Sequence, residues 1–386
     1  MKYNFDVIPD RRNTDSVKWD AYPKNLLPLW VADTDFAVCP KIIDAMKKRM
    51  EHPVFGYTME SPELKSVFCD RMDKFYGWKI TPEDLILVPG IVSGFNFAVR
   101  AFCGSNHSVI YQTPAYPPFI DAPSNNWTEG IANDLYFDEN EGIWKIDFDK
   151  FESQIKDNTS LFILCSPHNP VGRVFTRDEL MRLGEICLRH NVKICSDEIH
   201  CEIVYKEARH TPIASISPEL AANTITFMAP SKTFNIPGLS CSVAIVQDPE
   251  MRAAFKKSLS GLGSFVTVLS QEAGLAAYRD CEDWRLELME YLESNRDYAQ
   301  DFLKRNIPEI GTNRVEATFL MWLNCSKLGI EGSPSEFFAK KAEVQLNDGA
   351  SFGRGFEKYV RLNFGTNRAT LSEALNRMKK ALEDNL

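Results

Sequence analysis

Apolar residues in the middle of this chain come in short unbroken runs separated by longer amphipathic stretches. Leu85-Ile86-Leu87-Val88, Ser108-Val109-Ile110-Tyr111, Leu161-Phe162-Ile163-Leu164, Val192-Lys193-Ile194-Cys195, Thr224-Ile225-Thr226-Phe227-Met228-Ala229 and Ser242-Val243-Ala244-Ile245-Val246 are largely β-branched and aromatic. Such runs predict strands of a mostly parallel sheet that is covered on both faces. Helical patterns lie between several of them. One opens at Thr176-Arg177-Asp178-Glu179-Leu180, where Thr176 and Glu179 have the spacing of a capping box. Strands alternating with helices predict an α/β fold.

The pattern changes near residue 280. A long charged helical stretch over residues 284–305 is followed by two alternating segments, Ala317-Thr318-Phe319-Leu320-Met321-Trp322-Leu323 and Tyr359-Val360-Arg361-Leu362-Asn363-Phe364, and a closing helix over 371–382. This reads as a smaller α+β domain. The first ~45 residues are rich in turn formers and carry Trp19, Trp30 and Phe36. They read as an arm that packs on something else. The expected organisation is therefore an N-terminal arm (1–45), a large domain (46–280) and a small C-terminal domain (281–386), without internal repeats or low-complexity linkers. With 386 residues the chain is too long for one small core, which agrees with two domains.

Charge narrows the function. The 44 basic and 53 acidic side chains leave a net charge of −9, which argues against a nucleic-acid or anionic-membrane footprint. No apolar run approaches the ~18 residues of a membrane span, and the start, Met1-Lys2-Tyr3-Asn4-Phe5-Asp6, has no signal-peptide core. A cytoplasmic protein is expected. The ten cysteines form no CxxC pair. Cys165, Cys195, Cys201 and Cys241 lie in or beside apolar runs and read as buried free thiols in a reducing compartment. No Cys/His cluster has metal-ligand spacing, so no metal is expected. Cys201 beside His200 is a suggestive pair, but neighbours on a strand end point opposite ways.

The candidate chemistry sits just past the apolar runs. Lys232, in Ala229-Pro230-Ser231-Lys232-Thr233-Phe234-Asn235, follows a predicted buried strand. Partial burial lowers a lysine pKa toward the free amine, which forms a Schiff base with an aldehyde. Asp197 ends another run, in Ser196-Asp197-Glu198-Ile199-His200, and Asn169 lies in Ser166-Pro167-His168-Asn169-Pro170-Val171-Gly172. Gly90-Ile91-Val92-Ser93-Gly94 follows the first strand and opens a helix, a place where free amides meet a phosphate; the alternative is a plain strand-to-helix turn. Tyr116 lies in a proline-flanked turn, and Arg361 in an alternating apolar segment where an arginine is expected to be paired. In open α/β sheets, ligands bind beyond the carboxyl ends of the strands, where these motifs fall.

The Asn-Pro, Asp197 and lysine motifs, in this order along the chain, resemble the fold-type-I enzymes that use pyridoxal 5′-phosphate (PLP), and the resemblance covers essentially the whole chain. Pro28-Leu29-Trp30-Val31-Ala32-Asp33-Thr34-Asp35-Phe36, Phe55-Gly56-Tyr57, Pro114-Ala115-Tyr116-Pro117-Pro118-Phe119 and Asp197-Glu198-Ile199-His200 are similar to the MalY/PatB-like cystathionine (cysteine-S-conjugate) β-lyases. The resemblance implies a PLP-dependent transferase-like fold and a specific set of roles. Lys232 would attach PLP and act as the base. Asp197 would pair with the pyridine nitrogen, and Tyr116 would stack on the ring. Asn169 and His200 would sit at the ring oxygen, and Ile91, Val92 and Ser231 at the phosphate. Tyr57 would reach the phosphate across a homodimer interface. Arg361, Asn169, Trp30 and Ala32 would bind the amino-acid substrate. Many aminotransferases of this fold place an arginine eight residues after the lysine for the phosphate; this chain has Ser240 there. The expected activity is carbon–sulfur β-elimination. Amino transfer to a 2-oxo acid is the rival, and a non-enzymatic PLP-binding regulator a third reading that the filled catalytic positions oppose.

Overall fold

The structure, a computed structural model, describes residues 2–262 and 265–385. Seven strands form the main sheet: β1 (Leu85–Val88), β2 (Ser108–Thr113), β3 (Glu129–Asp134), β4 (Thr159–Cys165), β5 (Lys193–Asp197), β6 (Thr224–Met228) and β7 (Ser242–Ile245). Their spatial order is β1-β7-β6-β5-β4-β2-β3. Pairings from β3 to β6 are parallel, and β7 runs antiparallel to both of its neighbours. Alternate residues of the central strands feed two separate cores. Val109, Leu161 and Ile163 pack with the helix Ile91–Phe102, whereas Ile110, Phe162 and Leu164 pack with the helix Arg177–Arg189. That is the physical reason for the unbroken apolar runs. A Cβ at Gly94 would come within 2.5 Å of the Phe227 ring, so glycine lets the first of these helices press onto β6. The expected capping box is present: Thr176 Oγ1 accepts from the Glu179 amide, and Glu179 Oε2 accepts from the Thr176 amide at 2.7 Å.

A second, four-stranded antiparallel sheet holds β8 (Gly311–Thr312), β9 (Leu320–Asn324), β10 (Asn347–Asp348) and β11 (Tyr359–Asn363), ordered β8-β9-β11-β10. The helix Glu282–Asn306 and the closing helix Arg368–Glu383 bury Leu288, Leu292, Leu303, Leu371, Leu375 and Met378 in one core with it. The alternation over 317–323 becomes a strand only from Leu320, because Thr318 takes a left-handed φ of 71°. The N-terminal segment packs beside this sheet: Leu27 and Pro28 form a separate two-stranded parallel pair with Val344 and Gln345, and the Asn363 amide of β11 donates to the Leu29 carbonyl at 2.9 Å. Phe5 packs edge-on against Phe36 and Trp284.

The expectation for His200 and Cys201 needs correction. Both lie in the turn after β5, not on a strand end. Cys201 is buried in the core beside the Tyr76 hydroxyl, which donates to its carbonyl. Among the described residues, all ten cysteines are free and eight are buried, no group of acidic, Cys and His side chains could hold a metal, and no helix is long and apolar enough to cross a membrane.

Candidate active site

An open cavity of about 870 Å³ lies at the carboxyl ends of the main-sheet strands. Cys165 ends β4 and Asp197 ends β5; Lys232 stands on the single turn Pro230–Thr233 that follows β6. All three line the cavity, with Ala32, Ile91, Val92, Tyr116, Asn169, His200 and Ser231. The fold thus gathers nine of the residues singled out in the sequence around one space.

The electrostatics of that space are unusual. Lys232 Nζ donates to the Ala32 carbonyl at 2.6 Å. Burial, and then repulsion from Arg361, lowers its pKa to about 8. Asp197 accepts the Ile199 amide at 3.0 Å through Oδ1, and burial pushes its carboxyl up to about 7. Asp197 has no salt-bridge partner among the described residues and is poised between its charged and neutral forms near pH 7. Burial, reinforced by Lys232 and Arg361, keeps His200 well below its ordinary value and hence neutral. Tyr116, at the start of the helix Pro117–Asn125, sits edge-on to Phe119 with centroids 5.8 Å apart, and burial raises its hydroxyl.

Arg361 is the other anomaly. It is 4% exposed and bonded only to neutral acceptors: Asn169 Oδ1 at 3.0 Å, the Trp30 carbonyl at 2.9 Å and Asn347 Oδ1 at 2.6 Å. Its Nε has no partner, and burial lowers its pKa to about 10. The pairing expected of an arginine here is not with an acid: no carboxylate pairs with it among the described residues. A buried guanidinium without a counter-ion is a ready site for a carboxylate.

At the opposite wall, the helix Ile91–Phe102 points its start into the cavity. The amides of Ile91, Val92 and Ser93 have no acceptor within the helix, whose first such bond runs from Gly94 to Gly90. Ser93, Ser231, Ser240 and Ser242 line the same wall. Amides at a positive helix end and a group of hydroxyls suit a phosphate, and Ser240 belongs to that set although no arginine does. Sequence reading missed Ser93 and Ser242, and also Asn347, which shares Arg361.

Three predicted residues stand outside the cavity lining: Arg361, which reaches it through Asn169, and Trp30 and Tyr57. Trp30 contributes its carbonyl to Arg361, while its indole donates to the Lys18 carbonyl at 3.1 Å. Tyr57 is 98% exposed and does not line the cavity of its own chain; its ring meets Phe265 edge-on at 5.9 Å.

A free amine, a proton-holding carboxyl, an anion-binding helix start and an unpaired arginine suit a phosphorylated aldehyde with a basic ring, and an amino acid beside it. Comparison with known proteins agrees. Residues 24–378 match the model of the family "Aminotransferase class I and II". The cystathionine beta-lyase PatB of Bacillus subtilis is 39% identical, with 98% of this chain and all of PatB covered. Cystalysin from Treponema denticola, solved with a pyridoxal 5′-phosphate cofactor, is 34% identical with a TM-score of 0.96 over the full length of both chains. The PLP-bound C-S lyase of Staphylococcus hominis is 33% identical with a TM-score of 0.94, again over both full chains. By its sequence, its fold and the cavity they build, this chain belongs to the class I and II aminotransferase family.

Proposed function

We propose that the protein is a PLP-dependent carbon–sulfur β-lyase that splits cystathionine or related cysteine S-conjugates into pyruvate, ammonia and a thiol. The convergence of Lys232, Asp197 and Asn169 on one cavity, with Arg361 hydrogen-bonded to Asn169 behind its wall, carries this reading. Likeness to PatB and to the S. hominis lyase favours elimination over amino transfer.

PLP, when bound, supplies an aldehyde that joins an amino group covalently and a ring that withdraws electrons from Cα. The residues around it divide the remaining work. Lys232 attaches the cofactor and, once released, its amine takes the Cα proton; a pKa of about 8 leaves a useful fraction unprotonated near neutral pH. Asp197 holds a proton at the ring nitrogen. The Ile91 and Val92 amides hold the phosphate, with the Ser231 hydroxyl and those of Ser93, Ser240 and Ser242. Tyr116 and Phe119 wall the cavity against water on one side, and His200 and Asn169 offer single hydrogen bonds on the other. Arg361, with Asn169, Trp30 and Ala32 beside it, fixes the substrate carboxylate. With the proton at Cα removed, loss of the Cβ thiolate and addition of water would give pyruvate and ammonia. Pyruvate release from cystathionine with no 2-oxo acid present tests the reading; a strict requirement for a 2-oxo acid would replace it with amino transfer.

Arg361→Lys is expected to raise KM for cystathionine about 100-fold with a smaller change in kcat, since a point charge does not reproduce a planar two-point grip. An unchanged KM would remove Arg361 from carboxylate binding.

We read the enzyme as a homodimer in which Tyr57 serves the partner's site. Phe55, Tyr57 and Phe265 support this: they are 55%, 98% and 71% exposed and share one shallow apolar depression. Hybrids of Tyr57→Phe and Lys232→Ala subunits, assayed at limiting PLP, are expected to regain activity, because one of the two sites is then intact. Equal inactivity of hybrids and parents would place Tyr57 in its own subunit's site. The buried, unpaired thiols support a reducing, cytoplasmic setting.

A further inference from the structure

The segment 29–36 touches both ends of the reaction centre through its backbone. The Trp30 carbonyl receives Arg361 and the Ala32 carbonyl receives Lys232, while Asn363 Nδ2 donates to the carbonyls of Val31 and Asp33 at 2.5 and 2.7 Å. Behind this segment lie four charged side chains that no step above uses. Lys18 and Asp35 are completely buried at their side chains, Lys18 Nζ standing 3.0 Å from Asp35 Oδ2 and 3.3 Å from the Asp33 carbonyl. Arg11 binds Asp33 through both nitrogens, at 3.2 and 2.7 Å, and reaches Asp35 Oδ1 at 2.9 Å. The Trp19 indole donates to the same Asp35 oxygen at 2.8 Å. Two cations and two anions balance. Burial pushes Asp35 up, but Lys18 and Trp19 more than offset it and hold it ionised.

We infer that Lys18 is a positioning residue: with Asp35, Arg11 and Asp33 it locks segment 29–36 so that the Ala32 carbonyl orients the Lys232 amine. A completely buried ammonium is costly to keep for stability alone, and fixing one backbone arrangement is a use that matches its place. With one N–H held by Ala32, the released amine keeps a defined direction for its lone pair. The same segment walls one side of Lys232, whose other side opens on the cavity. The charged or titratable groups that face Lys232 are Arg361, Asp33, Asp197 and His200. The inference rests on the reading of Lys232 as the residue that attaches PLP.

Removing the Lys18 charge acts on Lys232 in one direction. The wall loosens and water enters, and the Asp33–Asp35 pair gains net negative charge; both raise the pKa of the amine. The test is the pH dependence of the rate at which cofactor-free protein, made from the full-length enzyme, takes up PLP, followed by the visible absorbance. For Lys18→Met the midpoint is expected to move up by about one pH unit relative to wild type measured in the same way. Methionine fills all but the terminal atom of the lysine's volume, and Asp35 retains Arg11 and Trp19, so the fold is expected to survive. Arg11→Gln, at the partly exposed corner of the cluster, carries the same readout if Lys18→Met does not fold. A folded variant with a lowered melting temperature and an unmoved midpoint would overturn the inference, since that is the result of a purely structural role. Covalent PLP uptake by Lys232→Ala would instead overturn the assignment of the lysine. Neither outcome depends on whether the enzyme eliminates or transaminates.

Discussion

Lys232→Ala is expected to abolish turnover and to lose covalent attachment of PLP, so that denaturation followed by filtration strips the visible absorbance from the protein. The expectation follows from position. Lys232 stands on the one turn that follows β6, with its amine held at 2.6 Å by a backbone carbonyl and its pKa drawn down by burial and by Arg361. Among the described residues, no other lysine lines the cavity. Loss of both the attachment and the base removes two functions at once, and activity below about 10⁻³ of wild type is expected. Retention of absorbance after denaturation would show that another residue holds the cofactor.

Asp197→Asn is expected to keep PLP bound and to lower kcat by about 1,000-fold or more. A carboxylate that keeps the ring nitrogen protonated stabilises charge that develops only as Cα loses its proton, so its removal weakens the transition state more than the ground state. Near-normal kcat would show that Asp197 does not face the ring nitrogen. The same residue gives the cofactor-free protein a pH signature. Burial raises its folded-state pKa to about 7, above the ordinary 3.8. Its contribution is complete below pH ~4 and is lost as pH rises through 7, a penalty on the order of 4 kcal/mol. Melting temperatures of the cofactor-free protein should fall over that window, and Asp197→Asn should flatten the curve. A flat wild-type curve would remove the burial argument.

Much of this fold is written locally. Six central strands are legible because burial on both faces leaves no polar position to break the apolar run. The seventh, β3, carries Glu129, Gly130, Asn133 and Asp134 and lies at the sheet edge with only alternate residues inside. Nothing in its composition separates it from a loop. The site divides in the same way. Lys232, Asp197 and Asn169 each follow a run that marks a strand end, so the sequence shows both the chemistry and its location. Arg361 is visible through the alternation of β11, but its freedom from any carboxylate is not, because that depends on which acids the fold brings near. Asn347 and the Lys18–Asp35 pair carry no local pattern: their meaning comes from partners in other elements. Ser240 was marked by the arginine it replaces, and it took the folded wall to show Ser93 and Ser242 beside it.

The Trp30 carbonyl and the guanidinium it receives are 331 positions apart. At about 5–20 residues per second, a ribosome makes them roughly 15–70 s apart. For that interval the start of the chain has no strand edge to pair with, and chaperones meet it with Trp30 and Phe36 uncovered. Lys232 and Asp197 are translated well before Arg361. Ribosomes that terminate after Lys232 but before Arg361 therefore release polypeptides with a lysine and a ring partner for the vitamin-derived aldehyde and no grip for a substrate. Quality control of this enzyme has to read its final strand, because the chemistry of its nucleophile is in place before the protein can be useful.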